Sequence, residues 1–217
     1  MVDGASATRI AQLVADNYRL RQLLDQHDAP NKLRHRLRST VALLRMVIRK
    51  SAESRTDIDA YMGLLEDRLD AIVRVQSIAD EQGIIELQKL LTDELLHYRP
   101  LDGVRVLLSG PELALQPRMG QLLALALHEL TVNAVEHGSL GGSTGRVEIN
   151  WRVDETGRTP TLTFLWKEYD EVAVGKSGAD GFGTEVLTRL LAYELGATTQ
   201  LDFESDGLRC TIQLPLG

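Results

Sequence analysis

Glu129 and Asn133 stand four residues apart in the segment His128-Glu129-Leu130-Thr131-Val132-Asn133-Ala134-Val135-Glu136-His137-Gly138. The segment extends a run of Leu and Ala that reads as a largely buried helix. At this spacing both side chains leave the same side of the helix. A carboxylate and a carboxamide on one face offer the oxygen donors that a hard cation such as Mg²⁺ takes. Magnesium held by so few protein groups draws its other oxygens from a nucleotide and water, so the pair points to phosphoryl transfer. The plainer alternative is two polar residues on the wet side of an amphipathic helix.

Other residues could serve the same chemistry. His35 lies about 160° around its helix from the apolar stripe, so it faces solvent, among Arg34, Arg36 and Arg38. An exposed imidazole there could attack a phosphoryl group while the guanidiniums attract the anion; a solvated surface histidine is the alternative. Gly181-Phe182-Gly183-Thr184 opens a helix, where backbone N–H groups can approach phosphate. A plain loop-to-helix junction has the same pattern. Glu168 ends a strand and could accept a hydrogen bond from the exocyclic amine of a base, with Trp166 two residues before it, in the core or at the site. His128 adjoins Glu129 but is offset by about 100°, which also suits a hydrogen-bonded, partly buried histidine. His137 suits the helix C-terminus. No Ser-His-Asp pattern, Cys/His metal spacing or Walker-type lysine loop is present.

The elements that must hold these residues fall into three parts. Residues 7–28 read as a helix with a coiled-coil seam, Ile10, Leu13, Asn17, Leu20 and Leu24, up to Pro30. Helices follow over about 31–51 and 57–80, the second capped by Thr56, Asp57 and Asp59. Its expected apolar side is Ile58, Met62, Leu65, Leu69, Ile72, Val73 and Gln76. The short connection makes an antiparallel hairpin, and two copies in a dimer bury both stripes in a four-helix bundle. After Gly83 the pattern changes. A helix over 85–97, a strand over 104–108, the long helix 117–137, strands 146–153 and 161–167, a polar loop 169–180, a helix to Leu195, and strands 198–204 and 208–214 follow. This is α+β: a helical hairpin over 31–82, then, over 83–217, an α/β sandwich with helices on one face of a mixed sheet.

Composition sets outer limits. The 217 residues are 43% apolar and 25% charged, as in ordinary globular chains. No apolar run is long enough to span a membrane, and no signal peptide opens the chain. The net charge is −7, yet residues 31–50 hold seven cations and no acid, leaving −14 on the rest. Overall acidity argues against a nucleic-acid partner. Cys210, the one cysteine, alternates with Leu208, Ile212 and Leu214 and so belongs to a core. A reducing cytoplasm fits.

In their order, these motifs resemble a sensor histidine kinase, most closely the HWE subfamily, named for an N-box His and a later Trp-x-Glu. His128, Trp166 and Glu168 match the three letters. His35-Arg36-Leu37-Arg38-Ser39-Thr40 resembles the phosphoacceptor box, and Leu191-Ala192-Tyr193-Glu194-Leu195-Gly196 and Asp206-Gly207-Leu208 resemble the C-terminal segment. The similarity covers about residues 31–216. It implies a Bergerat-type ATP-binding domain behind a dimerisation and phosphotransfer hairpin. Asn133 would hold Mg²⁺. Glu129 would assist the metal or polarise the attack, with His128 beside it. Glu168 would meet adenine, and Gly181, Gly183 and Thr184 the phosphates of ATP. His35 would take the γ-phosphoryl group and pass it to an aspartate of a response-regulator receiver. Two positions depart from the family: Ser39 stands where Asn is usual, and Tyr169-Asp170-Glu171-Val172-Ala173-Val174 replaces a Gly-Gly-Pro stretch. The departures keep open a dimeric phosphotransfer or adaptor protein with a degenerate nucleotide site. A serine-directed kinase of anti-sigma type would not need His35.

Overall fold

The computed structural model describes residues 31–53, 58–98, 105–170 and 181–217, with Asp16 and Arg19. The coiled-coil seam over 7–28 (apart from helical Asp16 and Arg19), the Thr56-Asp57 cap and the loop at 171–180 lie outside the described residues. The chain divides into two compact units, Met1–Glu53 and Ser54–Gly217. In the first, helix α1 (Asn31–Glu53) carries His35. Its backbone is helical as expected; the exposure expected of the His35 side chain lies outside what is described.

The second unit is built around one helix. In chain order it contains α2 (Ile58–Gln82), β1 (Ile85–Glu86), α3 (Leu87–Tyr98), β2 (Val106–Ser109), β3 (Ala114–Leu115) and α4 (Pro117–Glu136). Strands β4 (Arg146–Asp154) and β5 (Thr161–Tyr169) follow. Then come α5 (Phe182–Glu185), a π-helical turn (Val186–Leu190) and α6 (Leu191–Leu195), and finally β6 (Thr198–Glu204) and β7 (Gly207–Pro215). Pro117 starts α4 at a position where its missing N–H costs nothing. Every residue of α4 from Met119 to Thr131 is buried. Its Leu- and Ala-rich sequence therefore forms a helix covered all round, not a one-sided amphipathic helix.

The main sheet has the order β2-β4-β5-β7-β6, and β2–β4 is its parallel pair. Alternation sends Ile149, Trp151, Phe164, Trp166, Cys210 and Ile212 to one face, where all are buried. They stand in cross-strand rows: Ile149 opposite Trp166 opposite Cys210, and Trp151 opposite Phe164 opposite Ile212. The expected helices over a mixed sheet are thus present.

Two local expectations are corrected. Ile85 and Glu86 do not begin a helix; they pair antiparallel with Leu115 and Ala114. Ile85 is buried over Gly120 of α4, where an added Cβ would lie 2.4 Å from Ile85 Cδ1, so tertiary packing sets its conformation. The buried side of α2 is also rotated from the expected stripe. It consists of Leu65, Arg68, Ala71, Ile72, Val75 and Ala79, while Val73 is 57% exposed. The face holding Arg68 and two alanines lies inward, where the buried guanidinium meets its counter-charge, Glu129 of α4.

Cys210 has no exposed surface, and burial pushes its thiol up to about 12. We expect no reaction with an aromatic disulfide reagent near neutral pH in the native protein, and full reaction of one thiol on unfolding. A fast native-state reaction would contradict this burial.

Candidate functional site

Where α4 emerges from the core, its last turns form one wall of a small cleft open to solvent. Asn133, His137, Gly138, Glu168 and Thr184 supply its polar lining. Leu130, Leu187, Leu201, Phe203 and Leu208 supply apolar walls. A narrow apolar slot with one carboxylate suits a flat heteroaromatic ring bearing an amine.

Glu168 is 2% exposed and firmly held. Trp166 and Glu168 are two residues apart on β5, so both point toward the helices. The Trp166 indole N–H donates to Glu168 Oε1 at 3.1 Å, and the Ser139 backbone N–H donates to Oε2 at 3.1 Å. Each oxygen keeps a lone pair for a ligand. Burial pushes the Glu168 carboxyl up, hydrogen bonds from Ser139 and Trp166 pull it back in part, and the charge of Asp170 adds to the rise. Lys167, between them, points to the other face of the sheet. There it is buried against Glu204 at 2.8 Å and Asp206 at 2.5 Å, tying the strand end to the β6–β7 turn. Arg209 and Lys167 hold Glu204 down to about 2.

The segment opening α5 meets α4 beside this cleft. Gly181 caps α5 with extended backbone. A Cβ on Gly183 would lie 3.1 Å from Asn133 Nδ2 and 3.2 Å from Glu129 Oε2. Asn133, Thr184 and Glu168 thus share one cleft, with Gly183 and Glu129 adjoining it. The π-helical turn follows at once and aims Leu187 into the cleft.

Glu129 is not a wet-side residue. It is 4% exposed, and Arg68 of α2 donates to both its oxygens, Nε to Oε1 at 2.6 Å and Nη2 to Oε2 at 3.0 Å. His128 turns away from the cleft. Its Nδ1 lies 3.1 Å from Glu94 Oε1 on α3, and Arg74 of α2 donates to Glu94 Oε2 at 2.8 Å. These contacts join α2, α3 and α4. Burial pushes the Glu94 carboxyl up, but hydrogen bonds from His128 and Arg74 outweigh it and hold the group below its ordinary value.

Residues 32–112 match the family model described as HWE histidine kinase. Over that segment the chain is similar to HWE histidine kinases. Blue-light-activated histidine kinase 1 of Erythrobacter litoralis is 31% identical over 214 residues, covering 95% of this chain and 57% of that protein. The blue-light-activated histidine kinase of Rhizobium johnstonii is 27% identical over 216 residues, covering 99% of this chain and 58% of that one. The chain therefore spans less than two thirds of these relatives. The solved histidine kinase domain of the Erythrobacter litoralis blue-light activated histidine kinase superposes with a TM-score of 0.58 at 16% identity, covering 82% of this chain and 84% of that chain, which shows the shared fold. Among the described residues, no helix is long and apolar enough to cross a membrane.

His128, Trp166 and Glu168 do different physical work. Trp166 orients Glu168, Glu168 lines the cleft, and His128 anchors α4 to Glu94 without lining the cleft. Sequence reasoning missed Arg68 and Glu94, the stacking of Phe182 on Arg68, and the apolar cleft wall of Leu201 and Phe203. One signal for Arg68 was legible: it falls between Leu65 and Ile72 at core spacing, where an unpaired charge is costly.

Gly138 has to be glycine, because a Cβ there would lie 2.2 Å from Glu168 Oε2. Gly138→Ala should push the carboxylate off the Ser139 amide and destabilise the fold by about 1–3 kcal/mol. Faster hydrogen exchange at Ser139, with altered Trp166 fluorescence, checks it. Glu94 makes a second test. Its folded value is depressed, so its stabilising effect is full above the unfolded value near 4.5 and is lost as pH falls through the folded value. Glu94→Gln should lower stability at neutral pH by about 1–3 kcal/mol and flatten the acid limb of a urea-midpoint titration. Glu168 has the opposite sign: its raised value favours the folded state as pH falls through it.

Proposed function

We propose that this chain is an ATP-dependent protein-histidine kinase that autophosphorylates His35 and passes the phosphoryl group to an aspartate of a response-regulator receiver. The observation that carries this reading is the buried Glu168 carboxylate in an apolar cleft beside Asn133 and the Gly181–Thr184 segment. The residues present fit ATP. Glu168 keeps one free lone pair on each oxygen for the adenine amine, and the leucines and Phe203 cover the ring. Gly181 and Gly183 let the backbone approach phosphate, with the Thr184 hydroxyl alongside.

The donor set also fits Mg²⁺ held chiefly by phosphate and water. Among the described residues, no group of three His, Cys, Asp or Glu could hold a metal. Asn133 would hold the ion, with Glu129 as a further oxygen donor or as the group that polarises the attack. When bound, Mg²⁺ neutralises charge on the phosphates. An imidazole nitrogen of His35 forms the new P–N bond while the bond from the γ-phosphorus to its bridging oxygen breaks, and ADP leaves with that electron pair. The arginines around His35 draw the anionic partner. His128 serves as a positioning residue through Glu94.

Residues 31–82 act in this reading as the dimerisation and phosphotransfer hairpin, paired in a homodimer as a four-helix bundle. Residues 1–30 precede it as a coiled-coil-like helix, and 83–217 bind nucleotide. A cytoplasmic setting goes with this reading.

A second reading, a dimeric phosphotransfer or adaptor protein with a degenerate nucleotide site, has two observations in its favour. Arg68 occupies both oxygens of Glu129, and Tyr169-Asp170-Glu171 puts acids where the family has Gly-Gly-Pro. Labelled ATP with Mg²⁺ separates the two. The kinase should acquire an acid-labile, base-stable phosphate that His35→Ala abolishes, and titration calorimetry should show ATP·Mg binding. Labelling that survives His35→Ala removes His35 from the reaction. Absence of both heat and labelling selects the adaptor.

A further inference from the structure

Arg68 stands on α2 and its counter-ion stands on α4, 61 residues away. The pair is buried on both sides, and its fork geometry occupies both Glu129 oxygens. The Phe182 ring lies on the same guanidinium, with its centroid 3.9 Å from Cζ. Phe182 sits between Gly181 and Gly183, and Gly183 packs against Glu129 and Asn133. One side chain of α2 therefore grips both the acid of α4 and the segment that opens α5.

This grip has an electrostatic consequence. A dication bound to Glu129 would stand within a few ångströms of a buried guanidinium, and two such positive centres repel strongly in a low-dielectric interior. Pairing with Arg68 and service to a metal or a proton are alternative states of Glu129. We propose that Arg68 is a latch: while α2 lies docked on α4 it withholds Glu129 and pins Phe182, and displacement of α2 releases both. Movement of a helix is thereby converted into a change at the cleft. The inference rests on the nucleotide reading of the cleft for its ligand, but not for the mechanical coupling.

The test uses the full chain with Arg68→Gln, Arg68→Lys and Phe182→Leu. Hydrogen exchange without nucleotide reads the coupling. Arg68→Gln should speed exchange in α2 and in residues 181–190 together, leaving the β4–β5–β7 sheet unchanged; Phe182→Leu should do so more weakly. Uniformly faster exchange, or a change in α2 alone, overturns the latch and leaves a structural ion pair. Calorimetry with ADP, with and without Mg²⁺, reads the electrostatics. Arg68→Gln should raise the Mg²⁺-dependent gain in affinity by about fivefold or more while Mg²⁺-free affinity stays put, with Arg68→Lys between. An unchanged or smaller gain overturns the proposal. If no variant and not the parent binds ADP, the nucleotide reading fails, and the exchange result still decides the coupling.

Discussion

A helix buried on every side cannot carry a polar side chain without giving it a partner, and α4 carries several. Leaving such groups unpaired in a low-dielectric interior costs more than a net hydrogen bond contributes. Gln121 meets Gln76, His128 meets Glu94, and Glu129 meets Arg68. All three partners come from α2 or α3. The packing of those helices against α4 is thus specified by polar pairs as well as by apolar area. The cation on α2, at a position that a purely apolar stripe would give to leucine, follows from the same constraint.

The cleft exists because this burial ends. Beyond Thr131 the helix leaves the core, and Asn133, His137 and Gly138 reach a space bounded by β5, the α5 segment and the β6–β7 pair. Glu168 is carried there by a central strand whose neighbours on both sides fix its register. Its two hydrogen bonds come from a side chain on the same strand and from the backbone just past α4. The carboxylate is therefore oriented before any ligand arrives, which suits recognition by a fixed acceptor. The side of the cleft facing α4 is built differently, from a glycine-flanked segment and a helix interrupted by a π turn.

Much of this was legible in sequence. The Leu/Ala run of α4, the two-residue alternation of β4, β5 and β7, and the placement of Trp166 and Glu168 on one face follow from local periodicity. So did the buried cysteine. The Glu129–Asn133 spacing correctly put both residues on one side of the helix, but not the fact that Glu129 is buried there while Asn133 reaches the cleft. The short β1–β3 ribbon escaped notice because two-residue strands have no period to detect; Ile85 is extended only because Leu115 and Gly120 receive it.

Local sequence, then, determined which residues share a face, because helical and extended backbones repeat over a few residues. The tertiary structure alone decided what each face meets. The pairing of Arg68 with Glu129 joins residues far apart in the chain, and no periodicity encodes it. The rotation of α2, the turning of His128 toward Glu94 and the stacking of Phe182 on a guanidinium have the same origin: a buried charge must find its partner wherever the fold brings one.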